Sequence, residues 1–306
     1  MKGPPSLWIT INPSDVGDPI AQVLAGEQID LDNFEKTVGP NSTQCNLNIA
    51  GDPYAVAKFF HFVIAVLLEE LFSIKAYSSN SHIKRQDGIF GSIASYIGTV
   101  EAQGRGTLHL HIIVWLVGAL THVQMKHALK SHAFRIKIED YIAANIRMDL
   151  EGADKDKILH MRRENALSYL RPVDPRQPNY GLLAKAAEIQ LVQTVQLHTC
   201  DKNTCLVSKK GTIYCKRRAP FDVSNRDYVD SDGSWGPKRT YAYINSWCPA
   251  IMQCIRANQD IKLIHSQTSG PKVHQNQSES GEPKICNTLT GWPLMKSGCV
   301  HLTSLL

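Results

Sequence analysis

Apolar residues recur at every second position in three segments, which predicts β-strands over residues 7–11, 93–103 and 107–116. Between the last two segments lies Gly104-Arg105-Gly106, and glycine tolerates the positive φ of a tight turn. We therefore expect residues 93–116 to form an antiparallel hairpin. The strand at residues 7–11 would bury its Leu-Ile-Ile face.

Two other segments favour helices. Asp52-Pro53 precedes an apolar run, which predicts a helix over residues 54–72 with proline at its first position. Thr121 is expected to cap a helix that reaches towards Ile136. The order of strands and helices predicts an α/β (α+β) fold, with a central antiparallel sheet and helices packed on it.

Two histidines interrupt the third strand, in the segment Thr107-Leu108-His109-Leu110-His111. Because side chains alternate along a strand, His109 and His111 point to the same face, roughly 7 Å apart. Two imidazoles in this arrangement can bind one divalent metal. The alternative is a hydrogen-bonded histidine pair without a metal.

Glu101 and Gln103 share one face of the preceding strand and could supply an oxygen ligand across the hairpin. Mixed nitrogen and oxygen ligands suit Mg²⁺ or Mn²⁺ acting on a phosphate, and they also suit zinc. The alternative for Glu101 is a solvated carboxylate at the end of a strand.

A second group of possible metal ligands lies further along the chain, at His198, Cys200, Cys205 and Cys215. Three cysteines and one histidine within eighteen residues fit tetrahedral Zn²⁺, although the spacing is not that of a common zinc finger. The alternative is a set of buried cysteines without metal.

Basic residues cluster around this second group and on the predicted helix after Thr121. Such residues would contact the phosphates of a nucleic acid, or would simply form solvated faces. The candidate nucleic-acid-binding residues are Lys126, Lys130, Lys209, Lys210, Lys216 and Arg217.

Residues 101–111, which end in His109-Leu110-His111, resemble the His-hydrophobe-His block of the Helitron replication-initiator (Rep) endonuclease, also called the Helitron helicase-like domain. Three further segments resemble other blocks of that family in the same order: residues 7–15, 238–249 and 258–263. The similarity runs from about residue 6 to residue 264. It implies a Rep-like fold, with the two histidines on a central strand of an antiparallel sheet.

The resemblance also implies a transposon enzyme that nicks single-stranded DNA. In this family a tyrosine hydroxyl attacks the phosphodiester, and the metal polarises the phosphoryl oxygens. The family's tyrosine helix would follow residue 264, but residues 265–306 contain no tyrosine. We therefore expect a truncated, inactive remnant without the helicase, located in the nucleus, that still binds single-stranded DNA. The alternatives are a non-catalytic nucleic-acid-binding module with structural zinc, and a hydrolase that uses metal-bound water.

Composition agrees with these expectations. The hydrophobic content of 43% favours a folded core, and the net charge of +5 is compatible with a nucleic-acid partner. The longest apolar run is too short to span a bilayer, so we expect no membrane contact. We predict three parts: an endonuclease core at 1–171, a zinc-knuckle module with a downstream segment at 172–264, and a disordered tail at 265–306.

Overall fold

The computed structural model describes residues 4–32, 39–74, 87–102, 107–150, 172–203 and 205–264. Its centre is a four-stranded antiparallel sheet with the order β2-β3-β1-β8. These strands are β1 (Leu7–Asn12), β2 (Ile93–Ala102), β3 (Leu108–Leu116) and β8 (Asn258–Leu263). The predicted strands, hairpin pairing and α/β class are confirmed.

One face of this sheet is the main hydrophobic core. Leu7, Ile9 and Ile11 of β1 are fully buried, and β3 places Leu110, Ile112 and Val114 beside them. Burying each such side chain stabilises the fold by about 2 kcal/mol. The strict alternation sends every second residue of the same strands to the opposite face, which is where the two histidines lie.

Three helices that follow β1 share one capping pattern, in which an Asp or Asn side chain accepts a hydrogen bond from an N–H group of the first turn. They are α1 (Pro19–Leu24), α2 (Ser42–Gly51) and α3 (Pro53–Val66), followed by one π-helical turn (Leu67–Leu71). The Asp52 carboxylate accepts hydrogen bonds from the N–H groups of Tyr54 and Ala55 at 3.0 and 2.9 Å, so α3 begins where the sequence predicts. Phe60 and Leu67 from this segment pack into the main core.

The helix expected from Thr121 to Ile136 is instead two helices, α4 (His122–Ala128) and α5 (His132–Asn145). Thr121 and Gln124 form the capping box that starts α4. The break has a local cause, because the Arg135 guanidinium donates to the carbonyl oxygens of Leu129 and Lys130 at 2.7 and 3.2 Å. In a continuous helix, these two carbonyl groups would instead accept hydrogen bonds from backbone N–H groups one turn later.

Within the described residues from 172 to 264, the chain adds two helices, two small hairpins and the last sheet strand. The helices are α6 (Tyr180–Val195) and α7 (Pro249–Ile255), and the hairpin strands are β4 (Leu206–Lys209), β5 (Thr212–Cys215), β6 (Tyr228–Val229) and β7 (Trp235–Gly236). A second hydrophobic cluster centred on the fully buried Trp247 joins α6 and α7. Because β8 pairs with β1, residues on both sides of the proposed boundary at 171/172 build one sheet. That boundary stays a prediction, and the predicted tail at 265–306 lies outside the described residues.

A buried amide links α6 to the sheet. The Gln196 side chain is fully buried, donates to the backbone oxygens of Ser246 and Gln259 at 3.1 and 3.0 Å, and accepts from the Asn258 side chain at 2.7 Å and the Gln259 N–H at 3.1 Å. All four hydrogen-bonding positions of the amide are therefore used. Over the described residues, no helix is long and apolar enough to cross a membrane.

Replacing Gln196 with alanine should lower the free energy of unfolding by about 3 kcal/mol, because buried backbone groups of Ser246 and Gln259 lose their partner. Urea unfolding monitored by tryptophan fluorescence measures this change. Gln190→Ala, at an exposed position of the same helix, is the control and should change stability by less than about 0.5 kcal/mol. Equal stabilities of the two variants would contradict this role of Gln196.

Candidate metal centres

The first candidate site lies on the polar face of the sheet. The strand register aligns one residue from each of four strands in a row across this face: Thr99, His111, Thr10 and Asp260. In the neighbouring row, Glu101 lies directly opposite His109. The two histidines and Glu101 therefore occupy adjacent rows on one face, as the alternation predicts.

His111 makes two side-chain contacts. Its Nδ1 atom lies 3.0 Å from the Thr10 hydroxyl, and its Nε2 atom lies 3.1 Å from a Glu101 carboxylate oxygen. The Trp8 indole ring also packs near His111, with the ring centroids 5.9 Å apart. The Glu101 side chain is 60% exposed, so a ligand from solvent can reach it.

His109 is half-buried on the same face. Burial lowers the pKa of His109 to about 4, and the nearby His111 and Arg217 act in the same direction, while Glu101 opposes them. The imidazole is therefore neutral at pH 7, which is the form that binds a metal. Gln103, the other proposed oxygen ligand, lies outside the described residues.

The second candidate site is more compact. The ligand atoms of His198, Cys200, Cys205 and Cys215 all lie within 4.8 Å of one another, and over the described residues no other group of three or more His, Cys, Asp or Glu side chains gathers so closely. His198 Nε2 lies 3.2 Å from Cys215 Sγ and 3.4 Å from Cys200 Sγ. Three thiols and one imidazole at these distances fit the ligand set of a closed tetrahedral zinc site.

The backbone around this Cys/His cluster favours a thiolate at Cys215, but not at Cys200. Burial acts to raise the pKa of Cys215, but the N–H groups of Ala219 and Arg217 donate to its sulfur, and the pKa lies below its usual value. Burial and the adjacent Cys215 and Cys205 thiols raise the pKa of Cys200 to about 11. A divalent cation would offset the repulsion among the sulfurs, because metal binding requires their deprotonated forms.

The cluster lies at the base of the β4–β5 hairpin, whose tip is basic. Lys210 and Gly211 form a two-residue turn with φ values of 52° and 81°. Beside this turn, Ile213 and Tyr214 are 68% and 46% exposed. The basic residues proposed from the sequence, Lys126, Lys130, Lys209, Lys210, Lys216 and Arg217, are all exposed.

The two candidate sites are connected. Gln196, two residues before His198, binds Asn258 of β8, and Asn258 accepts a hydrogen bond from the Asn12 side chain at 2.7 Å. The positive charge of Arg217, two residues after Cys215, contributes to the lowered pKa of both His109 and His198.

Thr10 and Asn12 are not among the site residues that the sequence pattern predicts. Thr10 contacts His111, and the Asn12 side-chain oxygen is buried without a hydrogen-bond partner among the described groups. The alternation of β1 could have indicated these residues, because Trp8, Thr10 and Asn12 each follow a buried residue and so share the opposite face of the strand. Only the pairing of β1 with β3 shows that this face of β1 lies beside His111.

Residues 1–114 match the family model described as "Helitron helicase-like domain at N-terminus". This segment contains Thr10, Glu101, His109 and His111, so the Helitron resemblance seen in the sequence is confirmed over residues 1–114. A search of curated proteins found no match. The resemblance of the segments at 238–249 and 258–263 stays a prediction.

Purified protein should contain about one zinc per chain, and the double variant Cys200→Ser/Cys205→Ser should lose it, because two of four ligands are removed. Elemental analysis after dialysis measures the content. Cys254→Ser is the matched control, since this exposed cysteine lies outside the cluster. Zinc that persists in the double variant would contradict the site.

Proposed function

We propose that this chain is a Helitron-type Rep domain that keeps the metal-binding half of the active site, binds single-stranded DNA and forms no covalent bond with it. The observation that carries the proposal is the pair His109 and His111 on an inner strand of an antiparallel sheet, facing Glu101, within the segment that matches the family model. The Helitron-related domain itself rests on that match; the site chemistry is our proposal.

The donor set can hold a divalent cation. Two imidazoles and an exposed carboxylate form a mixed nitrogen and oxygen donor set, in which His109, His111 and Glu101 would hold Mg²⁺ or Mn²⁺. When bound, such a cation supplies Lewis-acid polarisation of a phosphoryl oxygen. The chain itself would orient the DNA: Arg217 provides a positive charge near His109, and the exposed lysines of the β4–β5 hairpin would hold the backbone phosphates.

Two of the described tyrosines, Tyr96 and Tyr141, are unsuited to covalent chemistry. Tyr96 lies on the core face of β2, paired with Val114, and therefore points away from the histidines. Burial raises the pKa of both Tyr96 and Tyr141, which disfavours the phenolate needed for attack. Residues 265–306 contain no tyrosine.

A second candidate function is a non-catalytic nucleic-acid-binding module with structural zinc. The compact Cys/His cluster favours it, because its geometry needs no further ligand. The exposed Ile213 and Tyr214 beside the basic turn would let unpaired bases stack on the hairpin. The two functions differ in whether the His109/His111 face binds a metal.

In zinc-loaded protein, a divalent cation should bind at the His109/His111 face. Mn²⁺ titration followed by electron paramagnetic resonance should show one site, which His109→Ala and His111→Ala each weaken at least tenfold, because each removes a direct ligand. His61→Ala, an exposed histidine of α3, is the control and should leave the affinity unchanged. Binding that is absent in the wild type, or equal in all variants, would favour the second function.

Single-stranded DNA should bind with strong salt dependence. A quadruple variant in which Lys209, Lys210, Lys216 and Arg217 are all replaced by alanine should bind with a weaker salt dependence. The slope of the logarithm of the binding constant against the logarithm of the salt concentration should fall in magnitude by about 3, since each phosphate contact contributes about 0.7. Fluorescence anisotropy with a labelled oligonucleotide measures the slope, and Lys58→Ala, on α3, is the control. In the same samples with Mn²⁺, denaturing electrophoresis should show free DNA only; a covalent protein–DNA band would contradict the proposal.

A further inference from the structure

Four side chains form a continuous hydrogen-bonded chain along the polar face of the sheet. The Trp8 indole Nε1–H donates to the Thr10 hydroxyl oxygen at 3.2 Å. That hydroxyl lies 3.0 Å from His111 Nδ1, and His111 Nε2 lies 3.1 Å from Glu101 Oε2. The chain connects β1, β3 and β2, and it ends at an exposed carboxylate.

The direction of each hydrogen bond follows from the chemistry of its ends. An indole N–H can only donate, and an ionised carboxylate can only accept. The end of the imidazole facing Glu101 must therefore carry the proton, because a bare Nε2 would place two lone pairs against each other. In a neutral imidazole Nδ1 is then an acceptor, so the Thr10 hydroxyl donates to it while accepting from Trp8.

A cation at the site requires the opposite arrangement. A metal bound through His111 Nε2 takes the position of the Nε2 proton, so a neutral imidazole must carry its proton on Nδ1. The Nδ1–H group then needs an acceptor within hydrogen-bonding distance. The Thr10 oxygen is at that position and has a second lone pair, since Trp8 occupies only one.

We propose that Thr10 is the positioning residue of the His109/His111 site: its hydroxyl donates to His111 Nδ1 before a divalent cation binds and accepts from it afterwards. Thr10 thus holds the ring orientation through a change of tautomer. This role rests on the proposed function, because it assumes a cation at His111. Partners of this kind orient metal-binding histidines and raise their basicity.

Thr10 is suited to this role by its place in the sheet. It pairs with His111 on one side and with Asp260 on the other, so its backbone is fixed by β3 and β8. The Trp8 indole holds the hydroxyl oxygen from the second side. A hydroxyl can reverse between donor and acceptor, whereas a methyl group at the same position can do neither.

The test compares Thr10→Val, which keeps the shape of the side chain, with Thr10→Ser, which keeps the hydroxyl. In zinc-loaded protein, Thr10→Val should weaken Mn²⁺ binding by about 10- to 100-fold, and Thr10→Ser should retain the wild-type affinity. Isothermal titration calorimetry measures both. If the wild type binds Mn²⁺ and Thr10→Val binds it equally well, the role of Thr10 is wrong while the proposed function stands.

A second readout is independent of Mn²⁺ affinity. At alkaline pH, where imidazoles are neutral, long-range ¹H–¹⁵N spectra of the wild type without added cation should show His111 protonated at Nε2, with an Nδ1 resonance that moves in Thr10→Val and stays in Thr10→Ser. Saturating diamagnetic Mg²⁺ should move the proton to Nδ1. A proton on Nδ1 before Mg²⁺ is added would overturn the inference. Failure of the wild type to bind Mn²⁺ or Mg²⁺ would instead refute the proposed metal site.

Discussion

The structure depends on β1, a six-residue strand that is hydrogen-bonded along both edges. One edge binds β3, about a hundred residues away, and the other binds β8, about 250 residues away. Because its side chains alternate, one face of β1 packs into the core and the other face carries Trp8, Thr10 and Asn12. Fold stability and the candidate site therefore rest on the same strand, and a shift of register by one residue would disrupt both.

The polar groups at the edge of the sheet connect the two candidate metal centres. Gln196 lies two residues before His198 and satisfies buried groups of β8, while Asn258 continues the hydrogen bonds to Asn12 of β1. Leaving any of these groups unpaired would be costly, which favours this packing of Gln196 against β8. Arg217 then lies where its charge acts on a histidine of each centre. A nucleic-acid strand held by the hairpin would thus lie close to His109.

Local signals were reliable where a single residue type determines the backbone. Asp52-Pro53 begins α3, Thr121 caps α4, and the hairpin pairs Glu101 with His109 as the alternation predicts. The prediction of one continuous helix through Leu129 was wrong for a different reason. The Leu129 carbonyl accepts from Arg135, so a side chain six residues away ends the helix, and no periodicity of apolar residues reports such a bond.

The sequence by itself determined β1, β2 and β3, the common face of His109 and His111, the four residues of the Cys/His cluster, and the Helitron resemblance, which the family match confirms over residues 1–114. Each of these follows from short-range spacing or from a motif. The tertiary structure alone decided that β8 completes the sheet and that Thr10 contacts His111. Both depend on pairing between strands distant in the chain, and the register of such pairing is set by packing of the whole core rather than by the residues of either strand.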